Sequence, residues 1–97
     1  MEEKLNKLAA KDELRLAKEA QRGYDYLCVI SGEKESQGLW AVAHNAALIC
    51  FSMREDGSRK YADVEEVLRS LSLREIASLA GAYQEQFEAE EQLWMKK

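Results

Sequence analysis

Proline is absent from this chain, and with it the strongest local interruption to a helix. Every segment is left free to continue helically, which tilts the expected fold toward all-α. Histidine occurs once, as His44. That excludes a histidine-based metal site and a Cys–His pair oriented by a third group. Cysteine occurs twice, as Cys28 and Cys50, without CxxC spacing. Two lone thiols in a helical chain read as small buried hydrophobes of a reducing compartment, with a disulfide between them as the alternative.

Excess positive charge is also missing. The net charge is −4, and Lys4, Lys7, Lys11, Arg15, Lys18 and Arg22 alternate with Glu and Asp. Phosphate contact depends on clustered Lys and Arg, so neither a nucleic acid nor an anionic membrane surface is the expected partner. No apolar run reaches the ~18 residues needed to cross a bilayer. The start Met1-Glu2-Glu3-Lys4 has no apolar core of a signal peptide. A cytoplasmic location is expected.

Catalytic motifs are lacking too. There is no P-loop, no dinucleotide fingerprint and no G-x-S-x-G, and Asp56, Asp63 and Glu66 do not follow the order of a calcium loop. Glu65-Glu66 and Glu90-Glu91 are adjacent pairs. On a helix, neighbours point about 100° apart and do not chelate one ion well. His44 reads as a partly buried structural residue. The expectation is a protein that is not an enzyme and carries neither metal nor cofactor.

What is present is apolar helix. Aliphatic and aromatic residues make up 46% of the 97 residues and charged residues 33%, the balance of one globular domain spanning residues 1–97. Between Leu39 and Met53 only His44, Asn45 and Ser52 are plainly polar. A helix apolar on most sides belongs in an interior. The predicted architecture is therefore a small four- to five-helix bundle around a central helix over about 35–53.

Around it, Met1 to Arg22 carries Leu5, Leu8, Ala9, Leu16, Ala17 and Ala20 among charges, with Gly23 placed to close the helix. Segment 1–23 is expected as a helical arm, possible to leave loosely packed. Tyr24 to Ile30 favours a strand, but no second strand-like run offers a partner, so it is expected as a helical or extended lead-in. Asp56-Gly57 is expected as a tight turn; a β-hairpin is set aside because its flanks lack period-two alternation. Asp63 begins a short amphipathic helix with Val64, Val67, Leu68 and Leu71 on its buried side. Ser72-Leu73-Arg74-Glu75 carries the capping-box spacing, with Leu71 and Ile76 placed for a hydrophobic staple. The last helix runs from Leu73 into the 90s, and Gly81 within it points to close approach of a neighbouring helix.

The surplus lies at the end of that helix, where Phe87, Leu93, Trp94 and Met95 continue beyond what a compact bundle requires. They either pack along the bundle or form an exposed amphipathic docking surface or dimer contact, and the first helix, loosely amphipathic and highly charged, is the other candidate interaction arm.

The order of parts resembles the small tail assembly chaperones of long-tailed bacteriophages. An apolar helix, Trp40-Ala41-Val42-Ala43-His44-Asn45-Ala46-Ala47-Leu48-Ile49-Cys50, is followed by Glu55-Asp56-Gly57 and by Tyr61. A small helix, Val64-Glu65-Glu66-Val67-Leu68, leads to the start Leu71-Ser72-Leu73-Arg74-Glu75-Ile76 and then to Ala82-Tyr83. The resemblance covers roughly residues 39–87. It implies a non-enzymatic holdase of the host bacterial cytoplasm that binds tape-measure and tail-tube proteins during tail assembly, itself a possible homo-oligomer. Phe87, Leu93 and Trp94 would be its partner-binding residues. It also implies a frameshifted longer form, for which Met95-Lys96-Lys97 is a compatible ending. The alternatives are a structural head–tail connector subunit and a bacterial helical adaptor or regulatory domain.

Overall fold

The computed structural model of the chain describes residues 3–32 and 37–88. The elements there are β1 (Glu3–Leu5), α1 (Ala10–Ser31), α2 (Gln37–Ser52), β2 (Met53–Glu55), β3 (Ser58–Arg59), α3 (Val64–Ser70) and α4 (Leu73–Tyr83). A π-helical turn over Gln84–Glu88 continues α4. The chain is mostly helical, but it also carries a three-stranded antiparallel sheet in the order β1-β2-β3. The all-α expectation is corrected to that extent.

The hairpin set aside on pattern grounds is present. Asp56 has φ 52° and Gly57 has φ 86°, the pair of left-handed residues that a two-residue loop of type I′ requires. Alternation could not reveal it, because β2 has three residues and β3 two. Register places Arg54 opposite Arg59 and Glu55 opposite Ser58. Two arginines face to face would repel, but each donates elsewhere. Arg54 Nη1 donates to the Phe51 carbonyl at 2.9 Å, and Arg59 Nη2 to the Cys50 carbonyl at 3.4 Å. Both cations thus sit at the open carbonyls and negative dipole end of α2. On the other side of β2, Leu5 lies opposite Met53, and Lys60 pairs with Glu3.

Residues 1–23 are not one loosely packed helical arm. Within the described part, β1 joins the sheet, and Leu8 is buried with its amide donating to the Tyr83 hydroxyl at 3.0 Å. Helix α1 then runs 22 residues without a break. Gly23, expected as its terminator, lies inside and is buried. The terminator is Gly32, at φ 77°, whose amide donates to the Cys28 carbonyl. Tyr24–Ile30, despite its strand-forming residues, is the last two turns of α1, because Leu27 is buried in continuation of Ala20 and Gly23. Tertiary burial here overrides local preference.

Helix α1 packs most extensively on α2, and α2 also meets α3 and α4. Ala46, Ala47, Ile49 and Cys50 of α2 join Ala20, Met53, Tyr61, Val64, Val67 and Ile76 in one buried cluster. Leu48 and Phe51 join Leu8, Ala80 and Tyr83 in another. Two local signals hold as expected. The Asp63 carboxylate accepts from the Glu66 amide at 2.9 Å. Ser72 and Glu75 form a complete capping box, with the Glu75 amide donating to the Ser72 hydroxyl at 3.1 Å and the Ser72 amide to the Glu75 carboxylate at 2.9 Å. Gly81, by contrast, is exposed with nothing within 4 Å of an added Cβ. Among the described residues, no neighbouring helix approaches there.

Candidate functional site

A concavity beside α1 follows from how α3 is docked on that helix. Val64 lies against Gly23, where a Cβ would come within 2.9 Å of Val64 Cγ2. The absent side chain lets the two helices meet. Polar groups of α1 then fix the start of α3. Glu19 accepts from the Val64 amide at 2.9 Å, and Arg22 pairs with Asp63 and Glu65, each at 3.5 Å. Glu65 also faces Arg69 one turn on, at 3.9 Å.

Beside this junction an open groove of about 1060 Å³ runs along α1 from Arg15 to Val29. Tyr26, Val29, Phe51 and Ala62 give it apolar surface. Charges of both signs line it: Arg15, Lys18, Arg22 and Arg59 with Glu19, Asp25, Asp63 and Glu65. Arg59 lies over the Phe51 ring, 5.1 Å from its centroid, so cation and aromatic face are presented together. This combination of an elongated shape, an apolar strip and mixed charge matches the side of an amphipathic helix.

Reactive chemistry does not converge on the groove. Burial pushes the Cys50 thiol above its ordinary value, and Arg59, whose Nη2 is 3.1 Å from the sulfur, offsets this only in part. The sulfur is packed in the buried cluster beside Arg59. Tyr61 and Tyr83 are likewise raised, first by burial. His44 is half-buried on α2. Among the described residues, no three His, Cys, Asp or Glu side chains are grouped to hold a metal ion. No described helix is long and apolar enough to cross a membrane.

Of the three contact residues expected from sequence, Phe87 is placed and Leu93 and Trp94 lie outside the described residues. Phe87 is half-buried in the π-helical turn. Its ring stands 4.9 Å from that of Tyr83 at 54°, packed against the cluster of Leu8, Leu48 and Phe51. It also borders a small cavity of about 160 Å³ with Lys7, Leu8, Glu13 and Leu16. The groove lies elsewhere on the molecule and shares none of these lining residues.

Of the groove, sequence reasoning pointed only to the first helix as a candidate interaction arm; its joining to residues 51–65 was not seen, because the two segments lie far apart in the chain. A signal existed. Had helix been continued through Gly23, Lys18, Arg22, Asp25 and Val29 would have fallen at spacings of four, three and four, one exposed face ending in an aliphatic residue. Comparison with protein-family models, with curated proteins and with solved structures finds no match to this chain.

Proposed function

We propose that this chain is a non-enzymatic assembly chaperone of the phage tail type, a helical domain organised around α2 that acts in the host cytoplasm. Its clients are amphipathic helices of tape-measure and tail-tube proteins. The observation that carries this reading is the groove along α1, in which Tyr26, Val29, Phe51 and Ala62 lie among charges of both signs. A helix with an apolar stripe and mixed-charge flanks is the complementary shape. Balanced charge favours many modest contacts over one deep anchor, as a partner that must later be released requires. Phe87, Leu93 and Trp94 form the second contact region of the proposal.

The test is co-expression with candidate tape-measure and tail-tube proteins from the genome that encodes this chain. The account expects one of these to become soluble only in its presence. Ala62→Trp, an exposed position on the groove, is expected to abolish that effect while leaving the chaperone folded. Client solubility that is independent of the chain, or unchanged by Ala62→Trp, would count against the groove.

A further inference from the structure

Helix α1 has two stripes. Ala20, Gly23 and Leu27 are buried against the rest of the molecule. On the opposite side Leu14, Lys18, Gln21, Asp25 and Val29 are all exposed. At ~100° per residue these five fall within about 80° of arc, at the four-three-four-four spacing of a helix–helix seam. The ends of the stripe are aliphatic and strongly exposed, Leu14 at 85% and Val29 at 81%. Single exposed aliphatics need no explanation, but two of them bracket a pair of opposite charges symmetrically.

We propose that this face docks against the same face of a second copy, with the two α1 helices antiparallel about a two-fold axis passing between Gln21 and Arg22. In that register Leu14 meets Val29 of the second copy, and Lys18 meets Asp25 of the second copy, with each contact made twice. An isologous interface demands such self-complementarity. The order of charges also selects the direction. A parallel pairing in register sets Lys18 against Lys18 and Asp25 against Asp25, which repel. The flanks are compatible. Near the axis the Arg22 side chains of the two copies approach on one flank, each already paired with Asp63 and Glu65 of its own chain. Gln21, which donates to Asp25 within its own helix at 2.9 Å, approaches its counterpart on the other. The seam from Leu14 to Val29 is about 22 Å long, short enough that the dimer is weak and concentration-dependent.

This inference does not depend on the chaperone reading, although a client in the groove and a second copy would compete for Lys18, Gln21, Asp25 and Val29. Sedimentation equilibrium of the purified chain alone, from low to high micromolar concentration, tests it. The wild-type chain is expected to show reversible dimerisation. Lys18→Asp and Asp25→Lys should each raise the dissociation constant about tenfold or more, because two attractions become two repulsions. The double variant Lys18→Asp/Asp25→Lys should restore it to near the wild-type value and, like the wild type, weaken with added salt. All four positions in the two pairs are exposed, and unchanged circular dichroism confirms that the fold persists in each variant. A monomer at every concentration, or a double variant no better than the singles, overturns the proposal.

Discussion

A Cβ added at Gly23 would lie 2.9 Å from Val64 Cγ2 and 3.4 Å from the Ala43 Cβ. Val64 is fully buried and branched at Cβ, so it has little freedom to move aside. Gly23→Ala should therefore destabilise by about 1–3 kcal/mol through overpacking, outweighing alanine's better helix propensity. Gly81 lies in the helical run of α4 with open space around it. There the same change should stabilise by about 0.5–1 kcal/mol. Chemical denaturation of the two variants against the parent checks both signs. A gain at Gly23 would mean that α1 and α3 are not in contact as described. The two glycines look alike in sequence, and only the tertiary neighbour separates them. For that reason the expectation of close approach was attached to Gly81 when it belonged to Gly23.

Among the elements, α4 has the most self-contained start. Its capping box satisfies two otherwise open amides with side chains three residues apart. Ser72→Ala should cost about 1 kcal/mol through loss of the N-cap acceptor. The Ser72 amide, and then its hydroxyl, hold the Glu75 carboxyl below the usual glutamate range. A carboxyl lowered by folding contributes its stabilisation fully above the ordinary glutamate value and loses it as pH falls through the depressed one. Glu75→Gln should thus show a smaller loss of stability on acidification over that range than the wild type. Thermal melts of both between neutral and strongly acidic pH will show this, and parallel curves would contradict it. The capping box was legible in sequence because all its atoms belong to four consecutive residues. The β2–β3 hairpin was not, because five strand residues carry no usable period and its cations answer to the end of α2. The continuation of α1 through Gly23 was hidden for the same reason: burial of Leu27 against distant residues decided it.

At the scale of the whole molecule, the two ends of the described chain are tied together. The Leu8 amide donates to the Tyr83 hydroxyl across 75 residues, in a buried position. Tyr83→Phe leaves that amide without its acceptor and should cost about 1–3 kcal/mol. The loss should appear in denaturant midpoint, with faster amide exchange at Leu8. An unchanged midpoint would mean that β1 and the segment after it are not docked on α4. Helix α1 itself packs on α2 and α3. The groove beside it joins one face of α1 to residues 51–65, a pairing that no local pattern reveals. The account stands on this groove as the seat for a client helix. Amide chemical-shift mapping during titration with an amphipathic helical peptide of the proposed client class tests it most directly. The account predicts that the largest shifts fall on Lys18, Tyr26, Val29 and Ala62. Shifts confined to the surroundings of Phe87, or none at all, would contradict it.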